Sequence, residues 1–382
     1  MPITLERVIH PVGQGAFYSE RFYEEGNEKP IANIVYDCGT ISEKQRINHD
    51  IKDYFSGEDI DILFLSHLHA DHINGVNQLK SVCNSIKNVI LPFYGDDKYI
   101  LLYYYKFLEK IPYYVNNLID NPEEYFGEKT RVFRISTQFS EGNNNEGNPV
   151  AYDIANLSQS EPLSSGIRIT TSKLSPYWIY LPINLQYDKY STQLRSLLSE
   201  IDGITDIKLL INDDKDLSEE NLKKIKKWFN NKGVPLELNS NSLLMYSGPT
   251  ELYKEKDVDI NTCRLKGCLY TGDSQFAQSK TSQDVLKKIL GRLSKNIGLI
   301  QIPHHGSKEN FSKDIFKISN KCENYFLSHG IKNRYGHPSI GVTCQFPYRN
   351  NLYRWHSYQV KKCNLFCVNE DPQSTLVFVI EL

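Results

Sequence analysis

The sequence lacks several features that would assign it to a class at once. No apolar run in its 382 residues approaches the roughly 20 residues that a membrane helix needs. The N-terminal stretch MPITLERVIHPVG has no apolar core of a signal peptide, so we expect a cytoplasmic protein without membrane association. The formal net charge is only −2, which gives no overall basicity of the kind typical of nucleic-acid-binding domains.

Cysteine pairs with the spacing of a zinc knuckle are also missing. The eight cysteines are scattered, and the close pairs Cys263/Cys268 and Cys363/Cys367 are not separated by two residues. We interpret the cysteines as reduced thiols, most of them buried, with a second zinc site as the alternative. No internal repeat recurs at the periods of solenoid proteins, and a hydrophobic content of 40% is enough to bury a full core.

Histidine is scarce, yet it is concentrated in the stretch IDILFLSHLHADHING at residues 60–75. Three of the ten histidines of the chain fall in this stretch. The apolar run from Ile60 to Leu65 predicts a buried strand, and the chain must turn after Ser66. The side chains that follow therefore lie at the carboxyl end of a strand, where α/β proteins tend to place their chemistry. These candidate metal ligands are His67, His69, Asp71 and His72.

The spacing of these ligands is compatible with two metal ions. His67 and His69 are two residues apart and can reach one metal together. Asp71 and His72 follow on the next bend and could face a second metal. The alternative is a polar surface loop with structural histidines, which such a concentration of ligands disfavours.

Two later strands also end in candidate ligands. An apolar segment around Leu244–Tyr246 pairs naturally with Cys268–Tyr270, which leads into Thr271-Gly272-Asp273 and places Asp273 as a bridging carboxylate. The run Ile297–Ile302 leads into Pro303-His304-His305-Gly306. Neighbours on a strand point to opposite sides, so we expect only one of the two histidines to bind metal. We expect His304 to be the metal ligand. His305 would then support the ligands by hydrogen bonds or contact the substrate.

The rest of the chain is less informative. Thr4–Pro11 and Ala32–Tyr36 predict a β-hairpin, residues 73–87 a helix and residues 89–93 a strand. We expect one domain over residues 1–382, with residues 96–235 as an insertion or lid that sets substrate choice and could dock a protein partner. Within it we expect a helix over Tyr99–Leu118, a loop at residues 141–148 and a lysine-rich helix bracketed by Asp216 and Gly233.

The ordered set HLHADH, NSNSLL, LYTGDS, PHHGS and NRYGHPS resembles the metallo-β-lactamase fold superfamily, and within it the branch of the DNA-uptake protein ComEC. The resemblance covers residues 1–95 and 236–345. It implies an α/β protein with a four-layer αββα fold and a hydrolytic metal centre between two sheets. It also implies that Asp37, at the end of a strand, orients the metal-binding loop, with a turn aspartate beside Gly39 as the alternative.

The sequence departs from the superfamily at one position. No histidine lies between His72 and His304, so the third histidine of the usual first metal site is missing. The resemblance then implies a first metal with His67, His69 and Asp273. It implies a second with Asp71, His72, Asp273 and either His304 or His305. This donor set suits two divalent ions, Zn²⁺ or Mn²⁺, with Mg²⁺ as a further option.

The resemblance implies a metal-dependent hydrolase, and we expect a phosphodiesterase or nuclease with Asp71, His305 and His337 as catalytic residues. His337 is the candidate acid or phosphate contact, with a turn histidine before Pro338 as the alternative. The alternatives are another hydrolase of the same fold, such as a phosphorylcholine esterase or a lactonase, or a non-catalytic partner in a defence or toxin system.

A local charge asymmetry favours a phosphate substrate. Residues 324–369 contain no Asp or Glu but six basic residues, interleaved with aromatic residues that could stack on bases. The alternative is that the basic residues lie on an ordinary solvated surface and the aromatic residues pack in the core. The basic residues are Lys332, Arg334, Arg349, Arg354, Lys361 and Lys362, and the aromatic ones are Tyr335, Tyr348, Tyr353, Trp355 and Tyr358.

Overall fold

The computed structural model describes residues 2–94, 113–139, 150–185, 223, 227, 242–250, 266–276, 280–346, 358–360 and 363–382. Its strands are β1 Ile3–Ile9, β2 Gly15–Glu24, β3 Ala32–Thr40, β4 Asp59–Ile60, β5 Ile62–Phe64, β6 Ser85–Ile86, β7 Asn88–Pro92, β8 Arg131–Phe139, β9 Tyr152–Asp153, β10 Leu163–Ser165, β11 Ile169–Thr170, β12 Trp178–Ile183, β13 Leu244–Pro249, β14 Gly267–Tyr270, β15 Ile297–Gln301, β16 Asn324–Ser328, β17 Tyr358–Val360, β18 Cys363–Val368 and β19 Leu376–Glu381. The helices are α1 Lys44–Phe55, α2 Ala70–Ile73, α3 Val76–Val82, α4 Tyr113–Asp120, α5 Pro122–Phe126, α6 Lys280–Leu290 and α7 Ile340–Thr343. Short 3₁₀ turns lie at Ile154–Asn156, Gly291–Asn296, His304–Gly306, Lys313–Lys317 and Pro372–Ser374.

Two large sheets face each other, with helices on their outer sides. The first sheet has the order β10-β8-β7-β5-β3-β2-β1-β19, and the second has the order β17-β18-β16-β15-β14-β13-β12-β11-β9. One apolar core lies between the sheets and contains Phe64 and Tyr270. A second core packs Ile51 of α1 on the first sheet, and a third packs Leu286 of α6 on the second. The expected αββα architecture is confirmed.

The histidine-bearing stretch folds largely as its sequence indicates. β5 lies in the middle of the first sheet and is parallel to β3 and β7. Ile62 and Phe64 enter the core between the sheets, whereas Leu63 faces the helices. Both faces are covered, which is why the run is continuously apolar rather than alternating. The helix expected at residues 73–87 is shorter, because the chain forms α2 and α3 and then enters β6.

The expected hairpin of the first two strands is wrong. β2 lies between β1 and β3 and pairs with both in antiparallel fashion. The sequence hides this strand because its inward-facing positions include Glu20, which is buried and paired with Arg7 at 2.8 Å. A buried ion pair interrupts the apolar alternation by which a strand is recognised.

Strands from residues 96–235 take part in both sheets. β8 pairs with β7 in the first sheet, and β12 pairs with β13 in the second. The expected helix over Tyr99–Leu118 is seen only in its last part, as α4, and the loop at residues 141–148 lies outside the described residues. Lys223 and Lys227 are helical and exposed, whereas Asp216, Lys224, Lys226 and Gly233 lie outside them. The domain limits and the lid remain predictions.

Two further expectations concern cysteines and membrane segments. The seven described cysteines are free thiols, but only three of them are buried, fewer than expected. Cys263 lies outside the described residues. In the part of the chain that the structure describes, no helix is long and apolar enough to cross a membrane.

Candidate metal centre

The carboxyl end of β5 and the start of α2 carry the first group of ligands. His67 and His72 are fully buried and His69 is nearly so, while the Asp71 side chain is 15% exposed. This loop packs tightly on β3, because a Cβ on Gly39 would lie 2.6 Å from backbone atoms of Asp71 and His72. Only glycine therefore allows the loop to approach the sheet this closely.

Asp273 reaches the same place from the second sheet. β14 ends at Tyr270, and the chain turns at Gly272, whose φ is +52°. The Asp273 amide donates to Ser242 Oγ at 2.9 Å, and its carbonyl accepts from Asn310 Nδ2 at 2.9 Å. These bonds fix the carboxylate within 3.2 Å of His72 Nε2 and 3.7 Å of His67 Nε2. One carboxylate thus contacts both halves of the histidine loop.

His304 and His305 follow β15 in an unusual backbone conformation. Their φ angles are 49° and 52°, and Asp37 has a φ of 56°. These three are the non-glycine residues with positive φ in the described chain. Such conformations cost free energy and tend to cluster at functional sites. All three lie at this cluster, so the fold accepts backbone strain where the ligands converge.

The two histidines diverge from this bend. His305 Nε2 lies 3.3 Å from Asp71 Oδ2 and is buried. His304 Nε2 lies 3.6 Å from Asp273 Oδ2, and its side chain is 16% exposed. The geometry therefore favours His305 as the deeper ligand, whereas the sequence favoured His304. Strand alternation did not apply, because neither residue has strand dihedral angles.

Each inner histidine is oriented by a protein acceptor at Nδ1. His72 Nδ1 donates to Asp37 Oδ2 at 2.7 Å, and His305 Nδ1 donates to the carbonyl of Ser328 at 2.9 Å. Their Nε2 atoms are then left to face the carboxylates. The Nε2 of His305 lies 3.3 Å from Asp71 Oδ2, within hydrogen-bonding distance. An Nδ1–H bound to an acceptor, with Nε2 directed at the donor cluster, is typical of metal-ligating histidines. Asp37 also accepts from the amide of Ser66 at 2.6 Å, so it contacts both the loop backbone and His72, while its orienting role stays a prediction.

The donor atoms form two overlapping groups. The atoms of each group lie within 4.8 Å of one another. The first group contains His67, His69 and Asp71, and the second contains Asp71, His72, Asp273 and His305. Asp71 belongs to both groups, so the cluster could hold one or two divalent ions.

Unsatisfied buried atoms show that the cluster fits a cation. His67 Nε2, His72 Nε2 and Asp273 Oδ1 are buried without a hydrogen-bond partner. His72 Nε2 and Asp273 Oδ1 are only 3.2 Å apart, yet their geometry does not make a regular hydrogen bond. Buried polar atoms normally have partners, and a shared metal ion would satisfy all three.

The electrostatics of the cluster agree with this fit. Burial holds the pKa of His67 well below its usual range and lowers the pKa of His69 to about 4. Burial opposes ionisation of Asp273, but the neighbouring His304 and His72 hold the pKa of that carboxyl well below its ordinary value. Neutral imidazoles and ionised carboxylates are the forms that bind a divalent cation.

His72 shows the excess of negative charge directly. Burial acts to lower its pKa, but Asp273, Asp37 and Asp71 raise it well above the usual value. Three carboxylates around one imidazole thus draw in a positive charge. A metal ion can take the place of that proton, because metal binding to histidine releases protons.

His337 lies at the edge of the cluster. Its ring centroid is 5.3 Å from that of His304, and its Nδ1 is buried without a hydrogen-bond partner. Burial and the charges of His304 and His305 lower its pKa to about 4. The structure brings together His67, His69, Asp71, His72, Asp273, His304, His305 and His337, all of the site residues named from the sequence.

Apart from Asp37, the sequence assigned no role to the residues that support these ligands, although Ser242 lies in the motif NSNSLL. Ser242 binds the Asp273 amide, Asn310 binds both His304 Nδ1 and the Asp273 carbonyl, and Gln301 binds the turn before Asp273. Each follows or ends a strand or sits in a ligand-bearing loop. Polar residues at such positions are the signal that could have found them.

The metallo-beta-lactamase superfamily model matches residues 32–128, which include β3, the histidine loop and β7. The αββα layers agree with that match. This chain has the metallo-β-lactamase fold. No curated protein matches it, and its place in the ComEC-like branch remains a prediction from the motifs.

Several solved structures resemble this metallo-β-lactamase-fold chain at low identity. The metallo-beta-lactamase fold protein YhfI from Bacillus subtilis is 11% identical, with 100% of each chain covered and a TM-score of 0.41. A long form RNase Z from yeast is 12% identical, over 98% of this chain and 41% of that one, with a TM-score of 0.34. A diphosphatase of the PhnP family is 9% identical, over 99% of this chain and 98% of that one, with a TM-score of 0.37.

Proposed function

We propose that this chain is a metal-dependent hydrolase that cleaves phosphodiester bonds with water, most readily in a nucleotide or nucleic acid. The observation that carries the proposal is the pair of donor groups that share Asp71 and enclose unsatisfied buried nitrogen and oxygen atoms. In this proposal His67, His69, Asp71, His72, Asp273 and His305 are the metal ligands. His304 is not a ligand in this proposal; it lies beside Asp273, on the solvent-exposed side of the cluster.

The chemistry follows from what these residues hold in place. A divalent ion bound here would supply Lewis acidity and lower the pKa of a water molecule toward neutrality. Asp37 and Ser328 fix the orientation of the imidazoles, so little reorganisation is needed when substrate arrives. His337, with its free Nδ1 near the cluster, is placed to contact a non-bridging oxygen or the leaving group of the substrate.

The donor set also limits the metal. Four imidazoles and two carboxylates suit Zn²⁺ or Mn²⁺ better than Mg²⁺, which prefers oxygen ligands. We therefore propose Zn²⁺ or Mn²⁺ as the working ion.

The test is the activity of metal-stripped protein to which Mn²⁺, Zn²⁺ or Mg²⁺ is returned. The substrates are bis-p-nitrophenyl phosphate and single- and double-stranded DNA. Asp273→Ala should lower the metal-dependent rate by at least about 100-fold, since even the residues that support a ligand are worth 10- to 100-fold. Asp284→Ala, an exposed residue of α6, is the matched control and should keep the activity of the unmodified chain.

Each outcome separates the candidate functions. Metal-dependent cleavage that Asp273→Ala removes supports the phosphodiesterase. Two bound ions without phosphodiester cleavage would redirect the search to a phosphorylcholine ester or a lactone. If the chain neither binds metal stoichiometrically nor cleaves any substrate, the hydrolase proposal is wrong. The remaining candidate is then a non-catalytic protein that binds a partner.

A further inference from the structure

A row of neighbouring ring side chains leads from the donor cluster to the protein surface, with an edge-on contact between His304 and His337 and near-parallel rings at His337 and Tyr335. The ring of His337 lies 5.3 Å from that of His304, and Tyr335 lies 6.1 Å beyond it with its ring plane inclined by 20°. The guanidinium of Arg334 is 5.2 Å from the centroid of the Tyr335 ring. Exposure increases along the row, from 16% for the side chain of His304 to 45% for Tyr335.

The loop that carries the row is held in place by one amide side chain. Asn333 Oδ1 accepts from the backbone amides of Tyr335 at 3.1 Å and His337 at 3.0 Å, while its Nδ2 donates to the carbonyl of Gly330 at 2.7 Å. A binding group fixed in this way loses little conformational entropy when a ligand arrives.

The loop is also tied to its surroundings at both ends. Gly330 N donates to Gln14 Oε1 at 3.2 Å, and Ile331 N donates to Glu370 Oε2 at 3.0 Å. Ser339 N donates to the carbonyl of Gly306, directly after the two histidines. The position of Tyr335 is therefore coupled to the backbone that presents His305.

The ring of Tyr335 reaches solvent from this loop. Tyr335 is 45% exposed, and Ile331 at the start of the loop is 61% exposed. Part of the flat surface of the Tyr335 ring is therefore accessible to a ligand beside the candidate active site. An aromatic ring with an adjacent guanidinium is the combination on which nucleic-acid bases stack in single-stranded complexes.

We propose that Tyr335 and Arg334 form a binding subsite for the base of a nucleotide whose phosphodiester lies at the metal cluster. This inference rests on the proposed function and names its substrate class. The Tyr335 ring lies 6.1 Å from the His337 ring, which lies 5.3 Å from that of His304, so a base on Tyr335 would lie close to a phosphodiester at the cluster. The stacking is tolerant of sequence, because every base offers a flat π-surface.

The test compares two esters that release the same p-nitrophenol. One is the p-nitrophenyl ester of thymidine 5′-monophosphate, and the other is methyl p-nitrophenyl phosphate, which has no base. Tyr335→Ala should lower the ratio of kcat/KM for the thymidine ester over the methyl ester by about 5-fold or more, the usual contribution of one stacked base. Tyr335→Phe should keep the ratio, and Tyr177→Ala, at another exposed tyrosine, should also keep it.

A binding measurement separates this inference from the proposed function. Titration of the metal-loaded chain with thymidine 5′-monophosphate and with inorganic phosphate should show tighter binding of the nucleotide, an advantage that Tyr335→Ala removes. If the chain cleaves neither ester, the proposed function fails but this binding preference still reports the subsite. If it cleaves both and Tyr335→Ala changes neither the ratio nor the binding preference, the subsite is wrong and the hydrolase stands.

Discussion

Gln301 offers a sharp test of how the metal centre is built. It is buried at the end of β15, and its Oε1 accepts from the amides of Thr271 at 2.9 Å and Gly272 at 3.1 Å. Its Nε2 donates to the hydroxyl of Tyr18 at 3.3 Å. One side chain thus anchors the turn before Asp273 and connects it to the opposite sheet.

Gln301→Leu leaves two buried amides without an acceptor. Each such loss costs about 1–3 kcal/mol, and the added apolar side chain recovers part of it, so we expect the free energy of unfolding to fall by about 2–4 kcal/mol. The turn should also hold Asp273 less firmly, which should weaken metal binding by about 10- to 100-fold. Urea unfolding measures the first effect, and calorimetric metal titration of the folded protein measures the second.

Asn88→Leu is the matched control for Gln301→Leu. Asn88 is also a buried amide, and it donates to the carbonyl of Asp61 at 2.8 Å at the start of β7, where the strand begins rather than where the ligands lie. Asn88→Leu should lower the free energy of unfolding without changing the affinity for metal. Equal metal affinity in Gln301→Leu and the unmodified chain would refute the view that Gln301 positions Asp273.

The remaining predictions concern the paired histidines and a buried histidine far from them. His305→Ala should weaken metal binding more than His304→Ala does, because His305 is the buried member of the donor group; calorimetric titration showing the opposite order would restore His304 as the ligand. Burial lowers the pKa of His10 below 6.5, against the opposing effect of Asp50. The unfolded chain then binds a proton that the folded chain does not, so the free energy of unfolding falls as the pH drops below about 6.5. His10→Gln should lose less stability than the unmodified chain between about pH 7 and about pH 5, as measured by urea unfolding, and an identical pH dependence would contradict this.

The sequence predicts the strand ends that carry the clustered His and Asp residues better than the arrangement of the sheets around them. Apolar runs such as Ile60–Leu65 identified the strands whose ends carry ligands, because such runs are buried on both faces. β2 was not found, since Glu20 is buried by pairing with Arg7, a partner in another strand. β8 and β12 were not found either, because strands that pair with distant segments carry no local signal of their partners.

The choice between His304 and His305 shows a different limit. The sequence argument assumed that a strand continues to the histidines, and its conclusion depended on alternation. The chain instead leaves β15 at Gln301, and both histidines take left-handed dihedral angles. In that conformation the imidazoles contact Asn310 and Ser328, which lie later in the chain and which no local pattern could indicate.

The metal centre depends on how the two sheets pack, because each sheet supplies part of it. His67 to His72 come from the first sheet, whereas Asp273 and His305 come from the second. Between them Tyr36 stacks on Tyr270 with ring centroids 4.9 Å apart, and Tyr36 donates to the carbonyl of Leu243 at 2.6 Å across the interface. A shift between the sheets would change the distance between the carboxylate of Asp273 and the imidazoles of His67 and His72. The buried aromatic contacts across the interface therefore help to hold the two halves of the donor cluster together.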